Sequence, residues 1–169
     1  MMHIFLCLTI VVLDQFTKWY MVGLLAVCER GNCQTIEVLP IFKLMVLYNT
    51  GAAFSFLSDA GGWQRWFLVC VYAGVSVFIA MWLYRIRLQE KRLALGLSFI
   101  LGGAIGNLID RVATGSVVDF IVVHWQSHYF PAFNIADSAI FIGACLLALD
   151  MFTNADKKEM ENTNGQTKE

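Results

Sequence analysis

Two aspartates carry the strongest chemical signal in this chain: Asp119 in the run VVDF and Asp137 in the run FNIADS. Each is enclosed by apolar residues, and together they flank a single aromatic-rich loop. Two carboxylates that meet cannot both ionise cheaply, so such a pair holds one proton between its members. The ionised member can then take a proton from an attacking water, while the protonated one donates to a carbonyl oxygen. Three further aspartates, Asp14, Asp110 and Asp150, lie in or beside other apolar stretches. A carboxylate at membrane depth is costly and is kept where a protected interior uses it. Spacing alone leaves Asp110 open as another partner for Asp137.

The elements that position these acids follow from composition. The chain has 169 residues, 58% of them hydrophobic and only 15% charged, with two prolines. Soluble domains run at roughly 45–50% apolar residues, so the excess marks a membrane protein. Residues 66–84 form an uncharged run bracketed by Arg65 and Arg85, long enough for a helix to cross a hydrocarbon core of about 30 Å. Residues 4–27, 93–109 and 134–152 make three more predicted spans. A secretory signal peptide is the rival for the first span, with LLAVC at 24–28 resembling a cleavage site. The basic leading region is missing, and Asp14 and Lys18 would sit inside the apolar core, so the span is expected to be retained.

Lys and Arg collect in the 85–92 connection, RIRLQEKR, and in the tail at Lys157, Lys158 and Lys168. The 28–64 segment holds only Arg30 and Lys43, and the 111–132 segment only Arg111. The positive-inside rule therefore places both termini in the cytoplasm and the two long loops outside. A single membrane-embedded domain is expected over residues 1–153, with 154–169 a flexible cytoplasmic tail. The net charge of −1 gives no basis for a nucleic-acid partner.

In the outer loops, residues 35–48 suit two short strands around Pro40, Gly51 allows a sharp turn, and AAFSFL at 52–57 suits a short helix on the bilayer surface. The second loop turns at Thr114-Gly115 and then runs extended through Val123. The fold class expected is an all-α polytopic membrane protein: four transmembrane helices, a small β-rich extracytoplasmic cap and a short surface helix. His124 and His128 are four apart, but on an extended segment without another ligand they give no metal site, and no cofactor is expected. Cys7, Cys70 and Cys145 read as buried hydrophobes within spans, while Cys28 and Cys33 on the outer side are free either to bridge or not.

Several polar residues have plain structural readings. Asp14 and Lys18 share a helix face and can pair. Gly102 and Gly106 form a small-residue face for close helix packing, beyond which Asn107, Asp110 and Arg111 emerge, the last two as a candidate salt bridge. Asn134 can cap the fourth helix, with Asp137 three residues on completing a capping box. Asp119 has no such explanation.

Four blocks taken in order resemble the lipoprotein signal peptidase (signal peptidase II) family: DQFTK (14–18), YNTGAAFS (48–55), GGAIGNLIDR (102–111), and VVDF followed by FNIADS (117–120, 133–138). The resemblance implies a bacterial inner-membrane aspartic endopeptidase with its active site at the outer face. Its partners would be membrane lipid and prolipoproteins that carry a diacylglyceryl group. It would cleave these on the N-terminal side of the lipidated cysteine and be inhibited by globomycin. Asp119 and Asp137 would be the catalytic dyad. Asp14, Lys18, Asn49, Gly51, Asn107, Asp110, Arg111 and Asn134 would support them or bind substrate. A small proton-coupled carrier and a non-enzymatic assembly factor are the competing readings of intramembrane acids.

Overall fold

The computed structural model describes residues 2–28, 33–51 and 62–166, with side chains described through residue 153. Among the described residues, four helices are long and apolar enough to cross a membrane: α1 (Met2–Leu24), α2 (Trp63–Ile86), α3 (Lys91–Ala113) and the 135–153 portion of α4 (Ile135–Gln166). Between and after them lie β1 (Ile36–Leu39), β2 (Phe42–Asn49), β3 (Val117–Trp125) and β4 (His128–Tyr129), which form one antiparallel sheet in the order β1-β2-β3-β4.

Helix α3 is the hub, packing against α1, α2 and α4. Its LGGAIGN run explains why. A Cβ on Gly102 would come within 2.9 Å of Ile10 on α1, and one on Gly103 would collide with the backbone carbonyl of Ala136 on α4. Without side chains at these positions the backbones close directly on one another, the usual route to tight packing in lipid. Leu97, Leu101 and Ala94 of α3 join Cys7 of α1 and Ile79 and Leu83 of α2 in one buried cluster. Phe5, Phe78 and Phe141 are instead exposed on the outer surface of the bundle, as lipid-facing side chains should be.

The sheet covers the bundle end formed by the C-termini of α1 and α3 and the N-termini of α2 and α4. The two strands expected within 35–48 are present, turning at Pro40-Ile41. In β3, Val117, Val118, Asp119 and Phe120 are all buried, so both faces of the strand are covered. Met21, Leu25, Val46, Val118 and Phe120 form the small core beneath it. Cys28 and Cys33 are joined as a disulfide, and the Cys28 N–H donates to the Val46 carbonyl (2.9 Å), pinning the exit of α1 to β2.

The boundaries depart from expectation in three places. Helix α1 ends at Leu24 rather than near residue 27, because the chain turns there to join the sheet. Arg111 was expected to open the outer loop but belongs to α3, which continues to Ala113. The segment expected as a flexible tail is helical as far as Gln166; Ala, Lys, Glu and Met within it readily extend an already nucleated helix. The surface helix expected at 52–57 lies outside the described residues.

Candidate active site

Asp119 stands on β3 directly opposite Leu47 of β2, and Asn49, two residues along β2, lies on the same face. That register lets the Asn49 Nδ2 donate to Asp119 Oδ2 at 3.1 Å. Asn49 Oδ1 in turn accepts the Gly51 N–H at 3.0 Å, a local turn that fixes the amide's orientation.

Asp137 is in the first turn of α4. Its N–H donates to Asn134 Oδ1 (2.9 Å), and its Oδ2 accepts the Asn134 N–H (3.2 Å), so the capping box read from the sequence is formed in both directions. The other end of Asn134 is used as well: its Nδ2 donates to Asp119 Oδ1 at 2.7 Å and to the Val118 carbonyl at 3.2 Å. One fully buried asparagine thus holds both aspartates. Asn107 Nδ2 donates to Asp137 Oδ1 at 2.8 Å, and its Oδ1 accepts from Lys18 Nζ at 3.1 Å.

Behind this layer Lys18 pairs with Asp14 and with Asp110, both at 2.8 Å. Asp14 Oδ1 also accepts the Ala136 N–H (2.9 Å), placing its charge at the N-terminus of α4, where the helix dipole favours it. Asp110 accepts from Gln15 (2.8 Å) and from the Val118 N–H (3.2 Å). Its carboxylate is therefore committed to joining α1, α3 and β3. Asp119 and Asp137, not Asp110, line one cavity of about 630 Å³ together with Asn49, Asn107, Arg111 and Tyr72. The rest of the lining is largely apolar, with Phe133 before α4 and Ile140 and Phe141 one turn beyond Asp137 on the same face of α4.

Burial, reinforced by the charge of Asp137, pushes the Asp119 carboxyl up to about 7, against the opposing effects of the Asn49 and Asn134 donors and of Lys18. Asp119 is 3% exposed, so few waters are available to stabilise its charge.

The Asp110–Arg111 salt bridge suggested by adjacency is not formed. Neighbours on a helix point about 100° apart, so Asp110 faces Lys18 while Arg111 turns to the cavity. Arg111 donates instead to the carbonyls of Gly51 (3.0 Å) and Asn107 (3.3 Å). His124 stacks on Tyr129 with ring centroids 5.1 Å apart. Among the described residues no cluster of three His, Cys, Asp or Glu could hold a metal.

Three contributors were missed from the sequence. Gln15 ties Asp14, Asp110 and the Gly106 carbonyl together. Arg65 donates to the carbonyls of Arg111 (3.0 Å) and Val112 (2.7 Å), capping the end of α3. Tyr72 places its ring 4.4 Å from the Arg111 guanidinium. Only Arg65 had a signal, a lone cation just before an uncharged span.

A family model described as Signal peptidase (SPase) II matches residues 6–153. The chain belongs to the signal peptidase II family. Family membership makes it a peptidase, and its four apolar helices make it a multi-pass membrane protein. It is 53% identical over 158 residues to the lipoprotein signal peptidase of Ectopseudomonas mendocina (strain ymp), covering 92% of this chain and 90% of that one. It is 50% identical over 156 residues to the lipoprotein signal peptidase of Pseudomonas aeruginosa (strain UCBPP-PA14), covering 91% and 88%. The fold is similar to a solved bacterial membrane enzyme with a TM-score of 0.75 and 28% identity, covering 93% of this chain and 91% of that one. The family resemblance read from the motifs is thereby established, and a peptidase family leaves the carrier and assembly-factor readings without support.

Proposed function

We propose that this signal peptidase II family member is an aspartic endopeptidase that cleaves diacylglyceryl-modified prolipoproteins on the N-terminal side of the lipidated cysteine. Removal of signal peptides from prolipoproteins rests on the family. The aspartic chemistry rests on one observation: Asp119 and Asp137 line one cavity while a single asparagine, Asn134, holds both.

With Asp119 raised to about 7, the pair keeps one proton near neutral pH. The ionised member takes a proton from water as the water oxygen bonds to the scissile carbonyl carbon. The protonated member donates to the carbonyl oxygen, which gathers the displaced electron pair. When the tetrahedral species collapses, the C–N bond breaks and a dyad proton passes to the leaving nitrogen, the new amino group of the lipidated cysteine. The pair regains its single proton from the new carboxylic acid. Asn107 and Asn134 orient the carboxylates throughout; Lys18, held between Asp14 and Asp110, fixes Asn107.

The concentration of basic residues in the 85–92 loop favours a cytoplasmic position for that end and an outer-face position for the cavity, while the bacterial inner membrane as the location rests on the family resemblance alone. The apolar wall of the cavity continues onto α4 through Phe141, which is 70% exposed on the lipid-facing surface. The acyl chains can therefore stay in apolar surroundings while the peptide reaches the acids, each buried CH₂ contributing about 0.8 kcal/mol. Globomycin-type cyclic peptides would compete for the same cavity. Lipid modification is expected to be required for efficient cleavage. Rates measured on modified and unmodified prolipoprotein in liposomes test this, and equal rates would reject it.

A further inference from the structure

Tyr72 lies nine residues into α2 from Trp63, about 13 Å along the helix axis, deeper than the interfacial level at which aromatic residues anchor a span. Its ring lines the cavity and lies against Arg111, whose guanidinium carbon is 4.4 Å from the ring centroid. Arg111 is 3% exposed, and among the described residues no carboxylate forms an ion pair with it. A buried cation without a counter-ion needs compensation, and the negative face of an aromatic ring supplies it.

We infer that Tyr72 is a positioning residue: its ring face fixes Arg111, and through Arg111 the Asn49–Gly51 turn that holds Asp119. The inference rests on the aspartic reading of the site. The chain of contacts is continuous. Arg111 donates to the Gly51 carbonyl (3.0 Å), Gly51 donates to Asn49 Oδ1 (3.0 Å), and Asn49 donates to Asp119 Oδ2 (3.1 Å). The charges that act on Asp119 are Asp137 from α4 and Lys18 from α1; Asp14 and Asp110 pair with Lys18, Arg111 of α3 lines the same cavity, and β2 presents the neutral Asn49. When the ring is lost, Arg111 shifts, the turn loosens and Asp119 loses a donor that stabilises its ionised form. Its proton is then held more tightly, so the alkaline limb of the activity profile moves to higher pH.

The test compares Tyr72→Phe, Tyr72→Leu and p-cyanophenylalanine at position 72, assaying cleavage of diacylglyceryl-modified prolipoprotein in detergent across the range in which Asp119 titrates. The phenylalanine variant should stay within about twofold of the parent with an unmoved profile, because the ring face is intact. The leucine and cyano variants should lose at least about tenfold in kcat/KM, with the alkaline limb raised by about half a pH unit or more. The cyano ring keeps the packing and weakens only the negative face, so it reports even if the leucine variant does not fold. A cyano variant matching phenylalanine in rate and profile overturns the inference. So does a uniform fall in rate with an unmoved alkaline limb, which assigns Tyr72 to packing alone. The dyad itself fails separately, by full cleavage from an Asp119→Asn enzyme.

Discussion

Asp119 combines deep burial with a proton it gives up reluctantly, and that has a consequence for stability. Its carboxyl is raised to about 7 in the folded protein, whereas an unfolded aspartate titrates near 3.9. A raised folded value means that the folded state binds the proton more tightly. The stabilisation is therefore complete below the unfolded value and is lost as pH rises through the folded one. The window is about pH 4 to 7. Asp119→Asn, which removes the charge, is expected to raise the melting temperature relative to the parent at pH 8, with the difference shrinking towards pH 4; thermal melts in detergent at both pH values check it. A gain no larger at high pH than at low would contradict the burial argument. At this scale the sequence was informative where a constraint is local. The Asn134–Asp137 capping box and the Asp14–Lys18 pair follow from spacings of three and four. Gln15 was illegible because its partners Gly106 and Asp110 are 91 and 95 residues away.

At the scale of elements, the contact between α3 and α4 sets the position of Asp137 relative to Asn107. Gly103 is the closest point of that contact, since any Cβ there would meet the Ala136 backbone in the first turn of α4. Backbone cannot rotate away as a side chain end can. Gly103→Ala is expected to destabilise by about 1–3 kcal/mol and to reduce cleavage sharply by displacing the N-terminus of α4. Gly74→Ala, with nothing within 4 Å of the added methyl, is the control: it should leave cleavage unchanged and be neutral to slightly stabilising, since Ala favours a helix interior over Gly. Wild-type activity in the Gly103 variant would show that the site tolerates movement of α4. The spans were legible because the bilayer imposes one length and one polarity on each. Their ends were less so: Arg111 read as a loop residue because charge alone was taken to end the span, while its backbone and cavity contacts keep it inside α3. Strand composition gave β1 and β2, but the pairing of β2 with β3, which brings Asn49 to Asp119, joins segments some 70 residues apart.

The whole molecule is a bundle that presents a small sheet and, at the same end, a largely apolar cavity into which a few polar side chains converge. The outward orientation proposed for that end makes the Cys28–Cys33 disulfide a topological marker. In a background with Cys7, Cys70 and Cys145 replaced by serine, a membrane-impermeant thiol reagent should label the reduced pair in right-side-out spheroplasts and not in sealed inside-out vesicles. The reverse pattern would invert the topology. The central claim is that Asp119 and Asp137 act as one catalytic unit, and it is tested most directly by cleavage of diacylglyceryl-modified prolipoprotein by separate Asp119→Asn and Asp137→Asn enzymes that insert and fold normally. Each variant is expected to lose at least about a thousandfold of the parent rate, because neither half of a one-proton pair can do the work of both. Cleavage at the parent rate by either variant would contradict the account.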